Sequence, residues 1–352
     1  MKKSSCLVAV AMLFSLVIPL VGFAQSPALN VMATTTILAD AARVVGGDLV
    51  AVDSLLPADA DTHAYEPTLN DAARVAQADL LIVVGAGYEG FLGEMLESAG
   101  TEIPVVVASN GVEIISLGAH GDHGDDAEES HGDVEILGVL GDGLECEAHS
   151  DEDHADTSDD RPGEDADATE EAGHSSECDP HVWMNPLNVI TWANNIAEAY
   201  AEADPANADT YRANASEYAA RLEAVDQEIQ ELVAELPEEN RILVTNHEFM
   251  GYFAAHYGFE IAAVITEGGS TGSEIDPQSL AELIAVIRAE AVPAIFAERS
   301  ASDQLAAAVA QEAGVSVITS LYSEALSAAD GDAPTYLDLI VFNAQTIVSA
   351  LQ

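Results

Sequence analysis

The chain is poor in cysteine, in positive charge and in long apolar runs. Of its 352 residues, ten are Lys or Arg against 62 Asp or Glu, a formal charge of −52. A balance so negative excludes binding to nucleic acid or to an anionic membrane surface, since both need clustered cations. It suits metal cations, high solubility or a saline setting. Much of the excess is spread along the chain, so the global charge is not read as a site. The one long apolar run, Leu7–Leu20, is short for a membrane span. Lys2 and Lys3 precede it and Gly22-Phe23-Ala24 follow it, so residues 1–24 read as an export signal. The mature chain is then expected outside the cytoplasm, soluble, monomeric and with arginine as its only strong cation.

Cysteine is as sparse. Cys6 stands before the apolar core of the signal, not at the cleavage site, so it is not placed to carry a lipid anchor. Cys146 and Cys178 remain. Outside the cytoplasm such a pair is expected to be oxidised, and a bridge is worth about 3–4 kcal/mol in the chain-entropy model. The competing reading makes Cys178 a metal ligand, because it stands three residues before His181.

What is present is a repeated strand–helix alternation. Strands are expected at 29–33, 49–56, 80–84 and 103–108, then at 241–245, 260–265, 293–297 and 315–319, with helices between them. This predicts an α/β fold of two lobes with mostly parallel sheets. The spacing divides the chain into a first lobe over 27–204, one long helix over 205–236 and a second lobe over 237–352. The helix shows an apolar stripe at Tyr211, Ala215, Tyr218, Leu222, Val225, Ile229, Leu232 and Leu236. Pro205 suits its first turn and Pro237 ends it. A run of about thirty residues spans roughly 45 Å, enough for a rigid strut between lobes. Residues 119–178 break the pattern with Asp, Glu, Gly, Ser and six of the ten histidines. That composition cannot bury a core. It reads as a metal-collecting arm, or as a solvated acidic linker.

Three histidines outside the loop share one placement. His63 and His247 each follow a strand and precede a helix, and His181 directly precedes a helix. Ligands of such sheets gather beyond the carboxyl ends of the strands. Three imidazoles are a usual set for Zn²⁺, with a carboxylate or water as fourth ligand. Glu324 and Glu298 follow strand ends in the second lobe and are the candidates. Asp179 is placed to accept an imidazole N–H or to serve the turn before Pro180. His256 reads as a residue of a helix C-terminus. His247-Glu248 superficially matches the start of a zinc-hydrolase motif. Position 251 is Gly, however, where that motif needs a second His.

The segments Asp61-Thr62-His63-Ala64-Tyr65-Glu66-Pro67, Asp179-Pro180-His181-Val182-Trp183 and Asn246-His247-Glu248-Phe249-Met250-Gly251-Tyr252-Phe253 occur in order. With them the whole mature chain resembles the zinc-specific solute-binding proteins of ABC importers, the metal-binding cluster with a rigid linking helix. The resemblance implies two α/β lobes with metal between them, ligands at His63, His181 and His247, and Zn²⁺ passed to a membrane permease without any catalytic step. Glu324 departs by one methylene from the commoner Asp of the family. Manganese members resemble this chain too, but carry a carboxylate where His247 stands. A manganese or iron receptor of the same family is therefore the alternative, and a zinc-dependent hydrolase is the rival of another class.

Overall fold

The computed structural model describes residues 29–58, 65–100, 103–117, 178–266, 277–290, 292–299 and 304–352. The export signal, His63 and most of the acidic loop lie outside the described residues, as does Cys146, one end of the expected disulfide.

Four strands form the first sheet: β1 (Leu29–Ala33), β2 (Val50–Ser54), β3 (Leu80–Val83) and β4 (Val105–Val107). All pair in parallel in the order β2-β1-β3-β4. The run Leu80-Leu81-Ile82-Val83 is buried at every position, as a strand covered on both faces requires. The helices α1 (Thr36–Gly46), α2 (Leu69–Val75) and α3 (Leu92–Ala99) connect these strands. Pro67, although suited to a first helical turn, stands two residues before α2. Thr68 caps the helix instead, in a capping box with Asp71, so Pro67 stays in the approach.

The second sheet repeats the first. Strands β5 (Ile242–Thr245), β6 (Glu260–Val264), β7 (Ala294–Glu298) and β8 (Ser316–Leu321) run in parallel in the order β6-β5-β7-β8. In each sheet the chain reverses its direction of winding between the two central strands. That opens a crevice past their carboxyl ends, β1 beside β3 and β5 beside β7.

Between the sheets come α4 (Pro186–Ala203) and α5 (Ala208–Val233). The expected long helix is present, but Pro205–Asn207 form a 3-10 turn before it and the α-helix ends at Val233. Its 26 residues span about 39 Å. It is not a bare strut. It packs on α4, on α1 and on the closing helix α9 (Tyr336–Leu351). Its buried face also includes a residue that a purely apolar stripe omits, Asp226. That carboxylate accepts hydrogen bonds from Tyr257 OH (2.9 Å) and Gln230 Nε2 (2.8 Å), and pairs with His256 Nε2 at 2.7 Å. Tyr257 and His256 belong to α6 (Gly251–Tyr257), so Asp226 docks the second lobe onto α5. The remaining helices are α7 (Pro277–Ala289) and α8 (Gln304–Ala313).

The largest apolar core runs through both lobes, beside a smaller cluster confined to each. It contains Val31 and Ile82 of the first sheet, Tyr211 and Leu222 of α5, Phe296 of the second sheet and Leu339 and Ile347 of α9. Polar ties reinforce it. Leu326 N donates to Thr36 Oγ1 (2.8 Å), and Tyr336 N donates to Asp40 Oδ2 (2.9 Å). Tyr336 OH donates to the Trp183 carbonyl (2.6 Å). Among the described residues no helix is long and apolar enough to cross a membrane.

Candidate metal centre

His181 is placed by a tight local turn. Its backbone N–H donates to Asp179 Oδ1 (2.9 Å), and the same oxygen stands 2.8 Å from its ring Nδ1. Asp179 thereby fixes both the backbone and the ring, and turns Nε2 toward the second lobe. A 3-10 turn, Val182–Met184, follows and buries Trp183. The Asp179 carbonyl accepts from Tyr252 OH at 3.1 Å, which ties the turn to α6.

His247 follows β5 in the crevice beside β7, with Asn246 N donating to the Phe296 carbonyl (3.1 Å). The helix expected after His247 begins only at Gly251. The intervening residues turn, with Phe249 N donating to the His247 carbonyl (3.1 Å), and the Phe249 ring stacks on the imidazole at 4.9 Å. Gly251 is required here for space. A Cβ on it would stand 2.4 Å from Asp179 Oδ2. Gly251→Ala is therefore expected to displace the Asp179 carboxylate and weaken metal binding by about tenfold. Calorimetric titration beside the parent checks this, and an unchanged affinity would refute it.

Glu324 follows β8 and closes the group. Its Oε1 lies 3.7 Å from His181 Nε2 and 3.8 Å from His247 Nε2. One ligand atom from each of His181, His247 and Glu324 falls within 4.8 Å of the others, and all three side chains are buried. Tetrahedral zinc with bonds of about 2.0–2.1 Å needs ligand edges of roughly 3.3 Å. The two edges from Glu324 exceed that by about half an ångström and the third is no longer than 4.8 Å, so the donor set fits a divalent transition metal once the three side chains draw in.

Glu298, the second carboxylate candidate, stands elsewhere. It is the last residue of β7, and its Oε1 lies 3.0 Å from His247 Nδ1, on the side of the ring away from the converging atoms. Burial alone would raise its pKa, but the His247 imidazole and the Ser323 hydroxyl hold it below the usual value. For His181 burial likewise opposes charge. The Asp179 and Glu324 carboxylates outweigh it and push the imidazole up to about 9.

The structure thus brings together His181, His247 and Glu324, sets Asp179 and Glu298 behind the two rings, and keeps His256 with Asp226. Sequence reasoning missed Ser323 and Gly251. A glycine four residues after a candidate ligand and a hydroxyl next to Glu324 were the only signals available.

The family described as zinc-uptake complex component A, periplasmic, matches residues 31–350. The iron-binding protein YfeA of Yersinia pestis is 28% identical over 318 residues, which cover 90% of this chain and 85% of that protein. A manganese-bound point mutant of a periplasmic metal-binding protein from Candidatus Liberibacter asiaticus superposes with a TM-score of 0.71. It is 26% identical, and the match covers 92% of this chain and 100% of that one. The periplasmic zinc-binding protein TroA of Treponema pallidum has the same fold, with a TM-score of 0.69 at 24% identity, over 92% of this chain and 99% of that one. Two parallel sheets in one strand order, a long helix packed between them and a match over nearly the whole length agree: the chain belongs to the periplasmic metal-binding receptors of ABC importers.

Proposed function

We propose that the chain is an extracytoplasmic zinc receptor that holds one Zn²⁺ between its lobes and presents it to an ABC permease. The observation that carries this is the convergence of His181 Nε2, His247 Nε2 and Glu324 Oε1 in a buried site. His63 is the proposed fourth ligand. Nitrogen-rich donor sets favour zinc, and carboxylate-rich ones favour manganese. The second reading, a manganese or iron receptor, draws on ligand edges of 3.7 and 3.8 Å, wider than tetrahedral zinc prefers, and on one relative named for iron and one solved with manganese bound. The ion is cargo and undergoes no reaction. In a hydrolase a carboxylate would have to face the metal-bound water as base. Asp179 and Glu298 are instead held against imidazole nitrogens.

Metal uptake is expected to release a proton. With its pKa near 9, metal-free His181 carries a proton at pH 7, and the ion must displace it. Affinity should therefore rise with pH up to about 9 and fall about tenfold for each unit below it. The same proton stabilises the metal-free fold. Because the folded pKa is raised above 6.5, that contribution is complete below about 6.5 and is lost as pH climbs through 9. Calorimetry with zinc and with manganese, in two buffers of different ionisation enthalpy, tests both claims. One site per chain, tighter for zinc, with about one proton released is the expected result. Tighter manganese would transfer the assignment to the second reading, and no stoichiometric uptake would refute a cargo site.

A further inference from the structure

Glu298 and Ser323 stand outside the proposed ligand set, yet both are buried, at 1% and 2% exposure, directly behind it. Glu298 Oε1 lies 3.0 Å from His247 Nδ1 and accepts from Asn246 Nδ2 at 3.3 Å. The Ser323 hydroxyl donates to Glu298 Oε2. The Ser323 carbonyl accepts the indole N–H of Trp183 at 2.7 Å, and Trp183 stands two residues after His181. Ser323 also immediately precedes Glu324. One residue therefore touches the support of each converging side chain. Its hydroxyl reaches His247 through Glu298, its backbone carries Glu324, and its carbonyl is tied to the turn that carries His181.

We infer that Glu298 and Ser323 are a positioning pair, which holds His247 with N–H on Nδ1 and the lone pair of Nε2 directed at the metal. The proposal rests on the reading of His181, His247 and Glu324 as a metal site. A neutral imidazole carries one proton, on either nitrogen. A carboxylate facing Nδ1 selects the form with the proton there, which leaves Nε2 as donor. With Nδ1 bare, the proton would sit on Nε2 and obstruct the ion. The hydroxyl of Ser323 keeps the carboxylate from rotating away, since it engages the oxygen that does not face the ring. Glu298 is thus a positioning residue and not a ligand, although it occupies the same end of the second sheet as Glu324.

The test compares the full chain with Glu298→Gln and Ser323→Ala, using zinc ion as probe. Affinity is read by competition with a chromophoric chelator. The melting temperature of each metal-free protein is read beside it, and the His247 ring protons of the zinc-loaded forms are read by long-range ¹H–¹⁵N NMR. Glu298→Gln is expected to weaken zinc 10- to 100-fold, Ser323→Ala less, with the Nδ1–H resonance of His247 shifted in both. Metal-free melting should change too little to account for the loss. Parent-like affinity in both variants would overturn the proposal, and so would a loss that follows the melting temperature while the Nδ1–H resonance stays in place. The parent is measured first. If it takes up no zinc, the site reading itself fails and the pair falls with it, an outcome distinct from a parent that binds and variants that bind equally.

Discussion

His247→Ala is expected to abolish tight metal retention. The substitution removes one of three converging donors and opens a gap beside Phe249, whose ring stacks on the imidazole. A loss of about a thousandfold, roughly 4 kcal/mol of binding energy, is the scale anticipated. The metal-free fold should suffer too. Glu298 would keep Asn246 and Ser323 but lose the imidazole that faces its buried carboxylate, at a cost on the order of 1–3 kcal/mol. Native mass spectrometry after mild dialysis reads the first effect directly: one ion per chain in the parent and none in the variant. An ion held equally by both would mean that these side chains are not the site.

The second large effect is expected far from the metal. Asp226→Ala removes the acceptor for Tyr257 OH and Gln230 Nε2 and the partner of His256. Of these, Tyr257 is buried, and leaving its hydroxyl without a partner costs more than the hydrogen bond was worth. A destabilisation of about 1–3 kcal/mol is expected, seen as a lower melting temperature of the metal-free protein. The His181–His247–Glu324 constellation includes none of these groups, so one ion per chain should still bind. An unchanged melting temperature would show that the docking of α6 on α5 does not depend on this carboxylate.

Asp226 also shows where the sequence stopped being legible. The long helix was readable because apolar residues recur every three or four positions, and the strands were readable because Leu80–Val83 is apolar throughout. Counting apolar residues cannot find a buried carboxylate, since Asp226 is buried only because α6 delivers two side chains to it. The start of α6 escapes the sequence for a related reason. Nothing local in His247-Glu248-Phe249-Met250 forbids a helix, and the turn found there, with the ring of Phe249 stacked on His247, is a tertiary arrangement. The ligand candidates were legible as a set, because a histidine or glutamate just past a strand end is a pattern in one dimension. Their division of labour was not. Glu298 ends one strand and Glu324 follows its neighbour in the same sheet, and only the separation of the two nitrogens of His247 tells which carboxylate faces the metal and which faces the back of the ring.

The continuous core has a consequence for how the molecule comes apart. Val31 in the first sheet, Leu222 in α5, Phe296 in the second sheet and Ile347 in α9 belong to one packed cluster. Neither lobe encloses all of its own apolar surface. The 26-residue helix α5 belongs to this shared cluster and does not separate two independent folding units. The chain should therefore melt in one cooperative transition in place of two. Damage at either end, whether to the first sheet or to the closing helix, is then felt as a loss of the whole fold, and the cargo site is lost along with it.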